Sequence, residues 1–200
     1  MKFENLEINR KIVEKTIEQG FDELTLIQEK CIPEIIKGRD VVGQAETGSG
    51  KTVAFCLPIL EKINRGEGLQ TVVLTPTREL CIQVTDVFKD FGKILGIKTT
   101  SIYGGVGIEP QIKRIKTSEV VVGTPGRMLD HLNRRTLDLR NIRFLILDET
   151  DKMLEMGFID DVEKIIRHTP KNRQTLMFSA TIMGNIHRPV SYTHLRAHET

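Results

Sequence analysis

The sequence is poor in cysteine and has no long apolar run. Its three cysteines, Cys31, Cys56 and Cys81, include no CxxC pair, and an odd number cannot form a closed set of disulfides. We therefore expect reduced, buried thiols. No apolar stretch approaches the ~18–20 residues of a membrane span, and the first residues lack the apolar centre of a secretory signal. These absences argue against a disulfide-stapled or membrane protein and predict a cytoplasmic one.

Neither charge sign is in large excess. Lysine and arginine total 29 against 27 for aspartate and glutamate, a net charge of +2. Any binding to a nucleic-acid backbone must therefore be local. With 39% hydrophobic and 28% charged residues and only 7 prolines, the chain is expected to fold around a core. A length of 200 residues favours one domain, and we expect a monomer.

Short β-branched runs alternate with longer segments of helical spacing. We interpret five runs as strands buried on both faces: 40–44, 71–75, 119–123, 143–148 and 174–179. A helix is predicted from Leu80 to Leu95, where apolar residues recur every three or four positions. The alternation predicts an α/β fold, a doubly wound, mainly parallel sheet with helices on both faces. In such sheets ligands bind in the loops that follow strands.

The segment after the first predicted strand, AETGSGKT at 45–52, has a P-loop pattern. Small residues let backbone N–H groups converge on phosphate oxygens, and the start of the next helix favours an anion. Lys51 is expected to reach the β- and γ-phosphates, and the Thr52 hydroxyl to bind Mg²⁺. The predicted nucleotide-binding residues here are Thr47, Gly48, Ser49, Gly50, Lys51 and Thr52. The alternative is a glycine-rich turn that binds nothing.

Two carboxylates, Asp148 and Glu149, follow the apolar run 144–147. We expect them at the sheet edge where the P-loop lies. Asp148 is assigned to Mg²⁺, directly or through water, and Glu149 is assigned as the catalytic base that deprotonates the water attacking the γ-phosphorus. The alternative is a pair of acids favoured by a helix dipole, which does not explain the preceding strand.

With these two motifs, the chain resembles the DEAD-box RNA helicase family over about 3–181. Phe21, Thr25 and Gln28 resemble the Q motif, in which the glutamine reads adenine and the aromatic ring stacks on it. An amide offers one donor and one acceptor to adenine N6 and N7. The sequence TLIQ also fits a capping box in which Gln28 reaches back to the Thr25 N–H. Beside the other motifs we favour adenine recognition, with Thr25 also capping the helix.

Three further loops resemble family motifs that contact RNA: motif Ia, the GG element and motif Ib. The implied RNA-binding residues are Pro76, Thr77, Arg78, Gly104, Gly105, Thr124, Pro125, Gly126 and Arg127. Because these loops follow strands or open helices, they could line one groove that holds phosphates and sugars without reading base sequence. Alternatively, Thr124 and Pro125 only start a helix, and Arg78 and Arg127 lie on solvated helix faces.

Residues 148–151 read DETD and resemble motif II, with threonine where the family has alanine. Thr150 adds a hydroxyl and a β-branch beside the predicted metal site, so we expect altered geometry and rate rather than a different reaction. Ser179 and Thr181 resemble motif III, whose hydroxyls in the family bridge to motif II and link hydrolysis to RNA binding. Asp151 is their predicted partner.

DEAD-box proteins have a second lobe whose arginines complete the ATP site, and its pattern does not occur in this sequence. Since an arginine finger contributes ~10³–10⁵ in rate, we expect these 200 residues to be nearly inactive alone. We assign 1–182 to the ATP-binding RecA-like lobe with its Q-motif region. Residues 183–200 do not fit the pattern, and we hypothesise that they are not native helicase sequence. Their histidine pair, His194 and His198, is weak support for a metal site.

The resemblance implies an ATP-dependent RNA helicase that uses ATP and Mg²⁺ as cofactors. Its partners would be RNA and the missing second lobe, with no membrane. ATP hydrolysis would be coupled to local strand separation only when that lobe is present. The alternative is a nucleotide-gated RNA clamp that does not unwind. A DNA-directed helicase is a weaker option, because a preference for the 2′-hydroxyl cannot be seen in residue types.

Overall fold

Six short strands form one sheet in the computed structural model, which describes residues 1–181. The strands are β1 Val41–Gln44, β2 Thr71–Leu74, β3 Thr99–Ile102, β4 Val120–Gly123, β5 Phe144–Leu147 and β6 Gln174–Ser179. Their spatial order is β1-β6-β5-β2-β4-β3, and every neighbouring pair is parallel. All six strands therefore end at one edge, the carboxyl edge, and begin at the other, the amino edge. The predicted tail 183–200, with its histidine pair, lies outside the described residues.

Helices cover both faces of this sheet, which confirms the doubly wound α/β prediction. A 3₁₀ turn, Phe3–Asn5, precedes eight helices in the described chain: α1 Arg10–Glu18, α2 Leu26–Ile36, α3 Lys51–Lys62, α4 Arg78–Lys93, α5 Glu109–Ile115, α6 Pro125–Asn133, α7 Thr150–Glu155 and α8 Ile159–Arg167. Alternate strand residues supply two separate cores. Val73 packs into the cluster that contains Phe55, whereas Val72 and Leu74 pack into the one that contains Met128.

Two strand predictions need correction. The sequence reasoning missed β3, because Thr99–Ile102 carries three hydroxyl residues and only one aliphatic residue. β1 was expected to be buried on both faces, but the Val42 side chain is 43% exposed and Gln44 is also exposed, while Gly43 is buried. That prediction was wrong because β1 is an edge strand and one of its faces is not covered.

The cysteines are free and buried, as predicted. Burial raises the pKa of Cys31 and of Cys81 to about 11, which keeps both protonated at neutral pH. None of the helices within residues 1–181 is long and apolar enough to cross a bilayer.

Candidate functional site

The sequence motifs divide the carboxyl edge into two halves. The P-loop, the SAT sequence at 179–181 and the acidic motif follow β1, β6 and β5, which are neighbours in the sheet. The three motifs that resemble RNA-contacting ones follow β2, β4 and β3, which are the next three strands. The strand order, and not the order along the chain, thus gathers two groups of loops side by side.

The P-loop links β1 to α3 and owes its shape to two glycines. Gly48 and Gly50 have φ of 85° and 88°, a left-handed conformation that glycine adopts without steric cost. A Cβ on Gly50 would lie 2.5 Å from the Nε2 atom of Gln28, whereas one on Gly48 would meet nothing within 4 Å. The Ser49 hydroxyl donates to the carbonyl of Glu46 at 2.6 Å, so it closes the loop on itself. The loop is therefore a preformed turn packed against α2.

Lys51, the first residue of α3, has a buried ammonium group that lacks a hydrogen-bond partner. Lys51 is only 6% exposed, and its Nζ atom has no hydrogen-bond acceptor among residues 1–181. An unpaired buried cation is unfavourable, and a bound anion would relieve that cost. Thr52, which follows it, is half-buried in the same turn. The pair thus fits a terminal phosphate and its metal ion.

Asp148 lies within electrostatic reach of Lys51. Burial raises the pKa of Asp148 to about 6, the charge on Lys51 opposes this rise, and the carboxylate of Glu149 adds to it. The Oδ1 atom of Asp148 accepts a hydrogen bond from the backbone N–H of Glu149 at 3.0 Å. A buried carboxyl group with a raised pKa would be stabilised in its charged form by a cation, so the donor set suits Mg²⁺.

Glu149 faces the P-loop and has a strained backbone. Its φ and ψ are both 52°, a left-handed conformation that a residue with a side chain seldom adopts. The carboxylate accepts a hydrogen bond from Thr47 Oγ1 at 3.3 Å and pairs with Lys152 Nζ at 2.9 Å. The structure therefore brings the P-loop and the acidic motif together. Sequence reasoning missed Lys152, although its i,i+3 spacing from Glu149 on α7 was the available signal.

Asp151 joins the acidic motif to the end of β6. It accepts hydrogen bonds from Ala180 N at 3.1 Å, Thr181 N at 3.0 Å and Thr181 Oγ1 at 3.1 Å. Burial alone would raise the pKa of Asp151, but Thr181, the nearby Ser179 hydroxyl and the Lys152 N–H bring it below its usual value. Ser179 Oγ itself is buried and reaches no hydrogen-bond geometry within the described chain. Asp151 and Thr181 thus lie together, while their coupling role stays a prediction.

Thr150, the departure from the family's alanine, also contacts β6. Its hydroxyl donates to the carbonyl oxygen of Phe178 at 3.2 Å. The extra group is therefore turned toward the strand backbone and adds a second link between motif II and β6.

Gln28 connects the start of α2 to the P-loop. Its Oε1 atom accepts from Thr25 N at 2.9 Å, which is the capping contact, and its Nε2 atom donates to the Gly50 carbonyl at 3.2 Å. The amide still has one N–H and one lone pair for another partner. The Phe21 side chain lies 43% exposed before this helix. The capping alternative is thus present in the structure, and adenine recognition stays a prediction.

The three loops that carry the motifs resembling RNA-contacting ones touch one another through their arginines. The Arg78 guanidinium lies 4.8 Å from the ring centroid of Tyr103, and both terminal nitrogens of Arg127 donate to the Val106 carbonyl, at 3.0 and 3.1 Å. The Arg127 side chain is only 13% exposed, so the solvated-face alternative is wrong for this residue. The turn after β3 is thus held between the starts of α4 and α6.

The remaining residues predicted to bind RNA lie in these same turns. Thr77 caps α4 by accepting from the Leu80 N–H at 3.2 Å, after the buried Pro76. Thr124 and the buried Pro125 start α6, as the alternative proposed, but the Thr124 side chain makes no capping hydrogen bond. Three exposed glycines complete the set: Gly104, Gly105 and Gly126.

A buried polar chain supports the turn after β3 and was missed from the sequence. Gln111 Nε2 on α5 donates to the Tyr103 carbonyl at 3.2 Å, and its Oε1 atom lies 3.2 Å from Nε2 of His131 on α6. His131 Nδ1 lies 2.8 Å from the Thr136 hydroxyl. Gln111 and His131 are 1% and 0% exposed. No sequence signal pairs them, because their contact depends on how two helices pack.

Comparisons with known proteins identify a family. A family model described as DEAD/DEAH box helicase matches residues 25–188. The chain is 50% identical over 190 residues to the DEAD-box ATP-dependent RNA helicase CshA of Streptococcus pneumoniae, with 94% of this chain and 36% of that protein covered. It is 47% identical over 187 residues to a probable ATP-dependent RNA helicase of Methanocaldococcus jannaschii, with 93% and 51% covered.

Solved structures give the same result. The crystal structure of a DEAD box protein from the hyperthermophile Methanococcus jannaschii matches with a TM-score of 0.93 and 45% identity, over 97% of this chain and 54% of that one. A hypothetical ATP-dependent RNA helicase from Sulfolobus tokodaii matches with a TM-score of 0.88 and 41% identity, over 96% and 56%. The fold is therefore RecA-like. From the ordered motifs, the paired halves of the carboxyl edge and these matches, the chain belongs to the DEAD/DEAH box helicase family.

Proposed function

We propose that this chain is the ATP-binding lobe of an ATP-dependent RNA helicase. The observation that carries the proposal is the buried Lys51 ammonium, which lacks a hydrogen-bond partner in the described chain and lies within electrostatic reach of Asp148 at the end of a parallel sheet. The chain spans about 36% of the length of the CshA relative, so the activity of a whole protein is part of the proposal.

In this proposal the nucleotide lies along the β1-β6-β5 half of the edge. The N–H groups from Thr47 to Thr52 surround the phosphates, and the Lys51 ammonium binds the β- and γ-phosphates. The exposed ring of Phe21 stacks on adenine, and the free donor and acceptor of Gln28 read its edge. Because Gln28 also donates to Gly50, base recognition would be linked mechanically to the phosphate loop.

Glu149 is the proposed catalytic base. Its carboxylate is held by Thr47 of the P-loop, so the group that takes the proton from the attacking water is positioned by the loop that binds the phosphates. Thr52 and Asp148 would hold Mg²⁺, which when bound neutralises charge on the phosphate oxygens. Asp151 and Thr181 would couple ATP hydrolysis in this half of the site to RNA binding in the neighbouring β2-β4-β3 half.

RNA would lie across the β2-β4-β3 half and be held by its backbone. The starts of α4 and α6, at Thr77 and Thr124, offer backbone N–H groups, and Arg78 offers a guanidinium beside them. Gly105, with φ of 79°, would let the turn after β3 come close to the RNA backbone. We expect no base-sequence preference from these contacts and propose that the protein acts as a cytoplasmic monomer.

Efficient turnover would require a second lobe that supplies arginines to the transition state. We expect residues 1–200 alone to bind nucleotide weakly and to hydrolyse it slowly, with negligible unwinding, because an arginine finger contributes ~10³–10⁵ in rate. Strong RNA-dependent turnover by this chain alone would contradict that expectation.

The test is the ATPase rate of a two-lobe protein built on this chain, with single-stranded RNA, with single-stranded DNA and with neither. RNA should stimulate turnover, and Glu149→Gln should abolish it while ATP binding persists. Glu155→Gln, an exposed position on the same helix, is the matched control and should keep the wild-type rate. RNA-independent turnover, or full activity of Glu149→Gln, would refute the proposal.

The alternative is a nucleotide-gated RNA clamp without productive unwinding. One observation favours it: Lys152 pairs with Glu149 at 2.9 Å and so engages the carboxylate that would accept the proton. A clamp would retain ATP-dependent RNA binding and its biological output in Glu149→Gln, whereas a helicase would lose strand separation with turnover.

A further inference from the structure

A second cavity lies at the amino edge of the sheet, away from the site described above. Its volume is about 540 Å³, and it is bounded by the last residue of α3 and by the residues that begin β5 and β6. α3 runs for 12 residues from Lys51 to Lys62, so the two ends are about 18 Å apart at 1.5 Å per residue. The amino-edge cavity is therefore separate from the P-loop.

Cations dominate the lining of this cavity. Lys62, Arg140, Arg143 and Arg173 line it, and no aspartate or glutamate does. Arg140 is neutralised by Asp138 at 2.7 Å, but the other three form no salt bridge with a carboxylate in residues 1–181. Like charges gathered without counter-charges repel each other, so the cavity favours an anion.

Hydrogen bonds to neutral groups hold these cations in place. Lys62 Nζ donates to the Ile35 carbonyl at 2.9 Å and to Gln174 Oε1 at 3.4 Å. Arg143 Nη1 donates to the Lys62 carbonyl at 2.9 Å and to Gln70 Oε1 at 3.2 Å. Carbonyl and amide oxygens fix the side chains without cancelling their charge. The positive groups are thus positioned before any ligand binds, which lowers the entropic cost of binding.

Arg173 supplies an unsatisfied donor at the same place. The residue is 8% exposed, and its Nε atom is buried with no hydrogen-bond partner in the described chain, although Nη1 donates to the Pro170 carbonyl at 2.6 Å. Burial lowers the pKa of Arg173, with Asp40 opposing, and burial together with Arg143 lowers the pKa of Lys62. A lowered pKa means that the charged forms of Arg173 and Lys62 are poorly stabilised in the cavity, and a bound anion would stabilise them.

We propose that the amino-edge cavity binds a small compound carrying several phosphate charges. Guanidinium forks match phosphate oxygens in pairs, and three cations without a salt bridge in the described chain match a polyanion better than a single carboxylate. The volume falls within the ~300–1,000 Å³ of small-molecule pockets. Asn141 and Asn172 add neutral donors to the lining. The proposal does not depend on the proposed helicase function.

The test is titration of the ¹⁵N-labelled chain with inorganic pyrophosphate, without ATP or Mg²⁺, first in the wild type and then in the Lys51→Ala variant. In both cases amide resonances of Arg143, Arg173 and Gln174 should shift in a saturable way, whereas shifts of the P-loop resonances should be lost in the variant. Shifts confined to the P-loop, or absent at the amino edge, would overturn the proposal. The Lys51→Ala arm separates pyrophosphate binding at the amino edge from pyrophosphate binding at the P-loop.

Arg143→Gln is the main variant, because the residue is exposed and its loss should not prevent folding. It should weaken pyrophosphate binding about 10-fold, the loss of one charge-assisted hydrogen-bonding group. Arg114→Gln, exposed on α5 and outside the cavity, removes the same charge and should change affinity less than about 2-fold. Equal weakening by both variants would indicate a general charge effect and refute the site. Shifts caused by single-stranded RNA but not by pyrophosphate would refute the choice of a small ligand.

Discussion

At the residue scale, the candidate site contains ionisable side chains that are buried without enough stabilising contacts in the described chain. Among the residues that the structure describes, the buried Lys51 ammonium has no hydrogen-bond acceptor, and the Asp148 carboxyl group is buried with a pKa of about 6. Such groups are costly to bury, and they persist where a ligand stabilises them. A bound phosphate would stabilise the first group, and a bound divalent cation would stabilise the second.

Lys51→Met tests this interpretation of the ammonium group. Because no hydrogen bond is lost, the free energy of unfolding without ligand should change by less than about 1 kcal/mol. ATP affinity should fall at least about 10-fold, because the charged contact with the phosphates disappears. Chemical denaturation and fluorescent-nucleotide titration measure the two effects. Lys113→Met, at an exposed position on α5, should change neither.

Glu149 gives a second residue-scale prediction, through its backbone. Glu149→Ala and Glu149→Gly both remove the carboxylate, but only glycine relieves the left-handed φ of 52°. Glu149→Gly should therefore be the more stable of the two by about 1 kcal/mol. The order should reverse at Glu155, in the right-handed part of α7, where glycine is worse than alanine by about 0.5–1 kcal/mol. The same order at both positions in urea denaturation would contradict the strain argument.

At the element scale, α5 and α6 support the turn after β3 through buried polar groups. Gln111 holds the Tyr103 carbonyl, and His131 holds Gln111. A chain of this kind is stabilising only while every member is hydrogen-bonded, so a change of charge on one member is transmitted to the turn. The loops proposed to bind RNA therefore depend on two residues that are far from solvent.

His131 predicts a pH dependence of stability. Burial lowers its pKa, the charges on Arg127 and Arg134 lower it further, and Asp130 opposes them. The folded state then binds fewer protons than the unfolded state, in which the pKa is about 6.5. The stabilisation is full above that pH and is lost as the pH falls below it. His131→Gln should flatten this part of the profile of unfolding free energy between about pH 7.5 and 5.5.

The control for that profile is His168→Gln, which changes an exposed histidine at the end of α8. It should leave the slope between those pH values as it is in the wild type. An unchanged slope in His131→Gln would show that its imidazole is not the group that titrates.

At the scale of the whole molecule, the sheet separates three kinds of surface. Its carboxyl edge carries the proposed nucleotide half, the loops after β1, β6 and β5, and the proposed RNA half, the loops after β2, β4 and β3, while its amino edge carries the cationic cavity. α3 runs from the P-loop to that cavity, and β5 and β6 run from the cavity to the acidic motif and to the SAT sequence. These three elements pack together, with Phe55 of α3 against Phe178 of β6, so we expect a ligand at one end to stabilise them as one cooperative unit.

ATP with Mg²⁺ should consequently stabilise the entire chain and not only the P-loop. At a concentration 100 times its Kd, a ligand that binds only the folded state adds about 2.7 kcal/mol to the unfolding free energy. Differential scanning calorimetry should show one transition that moves upward with ATP and Mg²⁺ and moves less when EDTA removes the metal. Lys51→Met should abolish most of the shift. A second transition that ignores ATP would argue against one cooperative unit.

Much of the nucleotide half followed from sequence because its signals are local. The P-loop needs glycines, a lysine and a threonine within eight residues, and the acidic motif directly follows an apolar run, so short segments carry their own meaning. β4, β5 and β6 could be located for the same reason, since strands buried on both faces are continuous apolar runs. β3 could not, because its threonines are buried by neighbours that only the folded chain supplies.

The sequence by itself thus determined the fold class, the chemical character of the loops and the family resemblance. Only the tertiary structure decided that β6 lies between β1 and β5, that Gln28 contacts Gly50, that His131 contacts Gln111, and that cations meet at the amino edge. The physical reason is the range of the interactions. Propensity and motif chemistry act over a few residues, whereas these contacts join positions 20 or more residues apart, and packing of the whole sheet fixes them.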